Sequence, residues 1–248
     1  MKILSIVRLA LVSATLPITF GTNAALVAVD LDGNAANGHE GVYDDVLDIT
    51  WLRDANIAAS DQFGLNGGIS LGGPAIGSMN WDTAETFIAA MNAVNSGAGY
   101  LGINTWRQPT ATPVNGTNYV FGTATYDGST DQSYNLTAPP GPYNPTPDLE
   151  TLGFTGSELA YHYYNNFEAI AECSGTGTDC VKYNLNAHGI HRAPDPNNYR
   201  ALFDNIQTEN VSSSYWAGIG VDDKAMRFRT FWGSQGLDEK HLFRHVWA

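Results

Sequence analysis

Cysteine is scarce in this chain, with only Cys173 and Cys180 among 248 residues. Two thiols cannot build a four-cysteine metal ribbon or a multi-bridge scaffold. Their placement in CSGTGTDC suits a single local disulfide closing a Gly/Thr loop, provided the chain is exported. Basic residues are scarce too: 12 Lys and Arg stand against 25 Asp and Glu, for a net charge of −13. A field of that sign repels nucleic acid, anionic lipid and sulfated polymers. Half of the ten basic residues after residue 24 lie late, at Lys224, Arg227, Arg229, Lys240 and Arg244, where a solvated strand face accounts for them. No phosphate-binding glycine loop, HExxH or paired CxxC occurs, so the commonest nucleotide-binding and metalloenzyme signatures are missing. After residue 24 there is no apolar run long enough to cross a bilayer.

The first 24 residues, MKILSIVRLALVSATLPITFGTNA, differ from the rest. A basic start (Lys2, Arg8), an apolar middle and the small residues Thr22 and Ala24 before a cut describe a secretory signal peptide. Its removal takes two basic residues and no acid, so the mature charge is −15. The expected location is secreted, periplasmic or cell-surface.

Glycine (26) and proline (11) are frequent and charged residues make up only 15%, which describes a loop-rich domain with a modest core. Helical spacing is clear in NWDTAETFIAAMNAVN, where Trp81, Ala84, Phe87, Ile88, Met91 and Val94 share a face and Asn80 is placed to cap. A second helix is expected in TGSELAYHYYNNF, with Thr155 as cap and Leu159, Tyr163 and Phe167 buried. Strand chemistry marks LVAVDLD, GVYDD and ITWLRD before the first helix, and SSYWAGIG, KAMRFRTFWG and HLFRHVWA after the second. Met226, Phe228 and Thr230 alternate with Arg227, Arg229 and Phe231, predicting one apolar face and one partly cationic face. The order predicts an α+β class: one domain over 25–248, with long loop insertions at 111–150 and 172–200.

The aspartates of VYDDVLDITWLRDAN are expected to edge a hairpin turn at residues 45–48, with Trp51 in the core and Arg53 paired to an acid. Just upstream, DLDGNAANGHE offers Asp30, Asp32, Asn34 and Glu40 in a Gly-containing loop. Alternate oxygen ligands suit calcium, although the spacing departs from the EF-hand. No motif demands a cofactor. His241 and His245 have zinc-like spacing without the glutamate that usually accompanies it, and a strand-face role fits His245 better. Tyr119, Tyr126, Tyr134, Tyr143 and Tyr183 lie in or beside the two insertions and are the candidate sugar-stacking residues.

Several segments occur in an order that resembles the Lcl C-terminal domain family: VYDDVLDITWLRDAN, MNWDTAETFIAAMNA, TWRQPT, SELAYHYYNNF, FDNIQ, SSYWAG, AMRFRTFWGSQ and HVWA. These are bacterial exported domains of unknown function, named after the end domain of a collagen-like adhesin. The likeness covers residues 26–248, with Gln108 where the family usually has leucine and Ala217 where others carry serine. It implies a C-type lectin-like fold: small antiparallel sheets, two helices and loops that display a binding surface. The expected function is therefore non-catalytic binding or adhesion, with a polysaccharide or another cell-envelope component as partner and no nucleic acid. The competing expectations are an extracellular hydrolase or oxidase using Asp/Glu or His188 and His191, and a purely structural surface module.

Overall fold

The structure, a computed structural model, describes residues 25–134, 136, 156–173, 177, 189–192, 195–209 and 213–248. The expected signal peptide at 1–24 lies outside them. Strands β1 (Leu26–Val29), β2 (Gly41–Asp44) and β3 (Ile49–Leu52) form an antiparallel sheet in that order. Helix α1 (Trp81–Ala93) follows, and then the short strand β4 (Ser133–Tyr134) within the first insertion. Helix α2 (Glu158–Tyr161) widens at once into a π-helical turn over His162–Asn166. Strands β5 (Ser214–Val221), β6 (Lys224–Arg229) and β7 (Ser234–Glu239) complete a second antiparallel sheet of order β4-β7-β6-β5. The described residues are thus mixed α and β, with two small antiparallel sheets and two helices.

The sequence dictates most of these elements. In α1 the Asn80 Oδ1 accepts the Thr83 N–H at 2.8 Å, a cap that contributes about 1 kcal/mol, and Asp82 lies in the first turn. The expected stripe Ala84, Phe87, Ile88 and Met91 is buried. In α2 and the π-helical turn that continues it, Leu159, Tyr163 and Phe167 are buried as expected. The cap is Ser157, whose Oγ accepts the Ala160 N–H; Thr155 lies outside the described residues. HLFRHVWA is not a strand: it runs as an extended tail with single bridges at Met79–Arg244 and Tyr215–His245. The partner of β6 is instead β7, built from SQGLDE.

Neighbouring residues of one extended segment feed opposite cores. Trp51, Tyr215 and Trp247 join a cluster with Val42, Leu159, Tyr163, Phe167 and Phe228. The adjacent Leu52, Trp216 and Val246 join a second cluster with Phe87, Met91, Trp106 and Ala225. Strands buried on both faces hold the two halves of the chain together, because each cluster draws on early and late residues.

Candidate functional site

The acidic run dissolves into local roles. Asp44 Oδ1 accepts the N–H groups of Val46 (3.1 Å) and Leu47 (3.0 Å), closing the expected turn. Asp45 accepts from Ala25 N–H, Asp48 from the Tyr43 hydroxyl, and Asp54 from Asn56 N–H and the Asn205 amide. Arg53 pairs with Asp204 at 2.9 Å. These carboxylates do not converge on a common ligand.

Asp44 has a second role that the sequence did not reveal. It is fully buried, and its Oδ2 accepts the Asn166 amide at 2.7 Å. The same amide nitrogen donates to His162 Nδ1 at 2.8 Å, which places the imidazole proton on Nε2. His162 is buried in an aromatic box: it stacks on Trp51 (4.6 Å) and meets the rings of Phe167, Phe203 and Trp247 at 4.4–5.1 Å. Its Nε2 has no hydrogen-bond partner. Burial pushes its pKa down to about 3. Desolvation raises the Asp44 pKa, against the opposing hydrogen bonds from Leu47, Asn166 and Val46. The signal was present in AYHYYNNF, where a histidine and an asparagine sit four apart within an aromatic run; only the buried Asp44 partner needed tertiary structure.

Of the expected cation ligands, Asp30, Asp32 and Glu40 place carboxylate oxygens within 4.8 Å of one another and could hold a metal ion. Asp30 Oδ1 accepts Gly33 N–H (2.7 Å), Asp32 accepts Asn34 N–H (2.8 Å) and the Asn37 amide (2.9 Å), and Glu40 Oε2 accepts Leu31 N–H (3.0 Å). The Asn37 and Asn34 bonds lower the Asp32 pKa. Asn34 turns its own Oδ1 to the Ala36 N–H at 3.4 Å.

The tyrosines form two separate pairs. Tyr119 stacks on Phe121 at 5.4 Å and donates to Ala111 O at 2.6 Å. Tyr126, 38% exposed, stacks on Tyr134 at 5.4 Å, and Tyr134 donates to Glu172 Oε2 at 3.2 Å. Burial and that carboxylate push the Tyr134 pKa up to about 12. Tyr143 and Tyr183 lie outside the described residues. So does Cys180, while Cys173 is buried and disulfide-bonded.

His188 also lies outside the described residues. His191 Nε2 accepts the Arg192 Nε–H at 2.6 Å, and Asp195 is engaged by Tyr199 N–H and by Arg200 through both its backbone N–H and Nε. His241 is exposed on a turn and His245 is buried in the extended tail, so their spacing is not helical.

A groove that no single motif announced has a volume of about 330 Å³. Its walls come from four distant stretches: Ile49, Thr50 and Trp51 of β3; Ile103, Thr105, Trp106, Arg107 and Pro109; Glu158 of α2; and Ala248 of the extended tail. Each wall is fixed from behind. Asn92 of α1 clamps the Trp106 backbone from both sides, at 2.9 Å to its N–H and 2.8 Å to its carbonyl. The Trp106 indole donates to Tyr100 O at 3.0 Å. That turn depends on Gly99 at φ +82°, where an added Cβ would lie 1.8 Å from Ile103 O. Trp51 is held by its stack on His162. At the lip, Arg107 and Glu158 form a two-pronged ion pair (2.8 and 2.7 Å), and Glu158 Oε2 also accepts Thr110 N–H at 2.7 Å. The Glu158 hydrogen bond raises the Arg107 pKa. An open groove with apolar rings and a few fixed polar groups is chemistry suited to holding a small organic ligand.

No family model, curated protein or solved structure matches this chain. Among the described residues no helix is long and apolar enough to cross a membrane.

Proposed function

We propose that this protein is an exported, non-catalytic binding domain of the Lcl C-terminal, C-type lectin-like kind, recognising a polysaccharide or another cell-envelope glycan. One observation carries the proposal: the groove between β3, residues 103–109 and α2, with Trp51 and Trp106 among its walls and the Arg107–Glu158 pair at its lip. The buried indoles of Trp51 and Trp106 back the groove with an apolar floor, and planar ion pairs hydrogen-bond hydroxyls in a fixed geometry. The exposed ring of Tyr126 in the first insertion offers a further contact for an extended chain. Support for a non-catalytic role comes from the fully engaged hydrogen bonds of Asp195 and the Arg192 contact of His191, which favour structural duties over acid–base work. Calcium is the cation suited to the all-oxygen cluster Asp30, Asp32 and Glu40, where it would order the loop beside β2.

A glycan array probed with the exported protein, in 5–10 mM calcium and again in chelator, tests the proposal. The range is ~5-fold or more above the dissociation constants of weak extracellular calcium sites. Binding to a defined set of glycans is expected, and it is lost in Thr105→Gln, whose longer neutral side chain fills the groove. No binding in either condition would sink the proposal.

A further inference from the structure

Resting on the glycan-binding proposal, we infer that the groove selects uncharged sugar residues and that the Arg107–Glu158 pair enforces this selection. An arginine at the mouth of a sugar site ordinarily favours a carboxylate or sulfate, because its fork matches two anionic oxygens. Here both terminal nitrogens already face Glu158, at 2.8 and 2.7 Å. The exposure is asymmetric: the Arg107 side chain is 47% exposed and that of Glu158 only 12%. The guanidinium therefore forms the lip, and a carboxylate locked by Thr110 N–H backs it. An incoming anion meets a charge that is already balanced, with another anion directly behind it.

Among the side chains lining the groove, Arg107 and Glu158 are the only charged ones. The wider field points the same way, with 25 acidic residues against 12 basic. A neutral sugar encounters different chemistry. Arg107 uses Nη1 for Glu158 and Gln108 O and one Nη2 hydrogen for Glu158, leaving Nε and the other Nη2 hydrogen as donors. The Thr50 and Thr105 side chains line the same walls, and Trp106 supplies an apolar ring. A hydroxyl-rich, uncharged pyranose satisfies these groups without displacing Glu158. The charge that would attract a sulfated glycan is neutralised internally.

Isothermal titration of the exported protein tests this, with chitotriose, cellotriose, maltotriose and mannotriose as neutral probes and trigalacturonate and a heparin tetrasaccharide as anionic ones. At least one neutral trisaccharide is expected to bind about tenfold more tightly than either anion. Glu158→Gln keeps an acceptor for Thr110 but frees the guanidinium, and should bring the ratio below about threefold. Arg107→Gln leaves Glu158 uncovered and should widen the ratio; it serves as the measurement if Glu158→Gln does not fold. Equal or tighter binding of an anion by the wild type would overturn the inference, as would an unchanged ratio in a folded Glu158→Gln protein. Neutral binding indifferent to Thr105→Gln would remove the groove while leaving the glycan proposal standing. Failure of all six probes to bind would remove the glycan proposal and the selectivity with it.

Discussion

At the scale of single residues, His162 makes the sharpest commitment. Its ring is surrounded by Trp51, Phe167, Phe203 and Trp247, and its only hydrogen bond comes from Asn166. Protonation would place a charge where no carboxylate touches the ring directly. Asp44 is reached only through the Asn166 amide, and Tyr161 precedes it on α2. The folded pKa of about 3 lies below the ordinary 6.5, so between those values the unfolded chain binds more protons. Stability is therefore full above pH 6.5 and is lost as pH falls towards 3, at up to ~1.4 kcal/mol per unit. Asp44 acts in the opposite sense. Its raised pKa makes the ionised form the costly one, so its contribution improves on acidification and partly offsets the loss. Urea midpoints followed by circular dichroism from pH 7 to 4 should fall in the wild type, and the fall should flatten in His162→Phe. An identical slope in the variant would refute this role for His162.

At the scale of elements, legibility in the sequence followed physical cause. Helix α1 could be read because its stripe and its Asn80 cap are local properties. Strand β7 could not, because Ser234-Gln-Gly-Leu-Asp-Glu has little strand propensity of its own; it pairs along all of β6 and is held there by tertiary packing. HLFRHVWA misled for the converse reason: its alternation buries His245 and Trp247, but against Tyr215 and the core rather than within a ladder. The groove was invisible because residues 49–51, 103–109, 158 and 248 meet only after folding. Gln108 is buried with its amide donating to Glu85, a contact that α1 supplies from 23 residues away. The first insertion, which lacks any period, is organised by one carboxylate. Asp131 is fully buried and accepts Val114 N–H at 3.0 Å and Val120 N–H at 2.6 Å. Asp131→Ala should cost about 2–4 kcal/mol for two orphaned donors. It should also accelerate hydrogen exchange at the Val114 and Val120 amides, with little change at Met91 in α1. Unchanged exchange at those two amides would show that something else holds the loop.

At the scale of the whole molecule, the proposed export and the disulfide-bonded Cys173 make one joint prediction. The proposal that residues 1–24 direct secretion and the disulfide at Cys173 require the same oxidising compartment. The ring closed by the expected bridge between Cys173 and Cys180 would restrict the unfolded chain by roughly 2–3 kcal/mol on the loop-entropy estimate. Cys173 is buried at the edge of the first core, near Ala171 and beside Glu172, whose N–H bonds Trp232 O at 3.0 Å. Loosening this ring therefore loosens the partner of the Tyr134 hydroxyl and, through it, the Tyr126–Tyr134 stack. Intact mass of the exported species should correspond to a chain starting at Ala25 and two hydrogens lighter than its dithiothreitol-treated form. Reduction should lower the thermal midpoint of the wild type by several degrees. The double variant Cys173→Ser/Cys180→Ser should start from that lower midpoint and ignore reductant. A wild-type midpoint indifferent to dithiothreitol, with loss of the bridge verified by mass, would mean that the β4–Glu172 contacts hold without the covalent link.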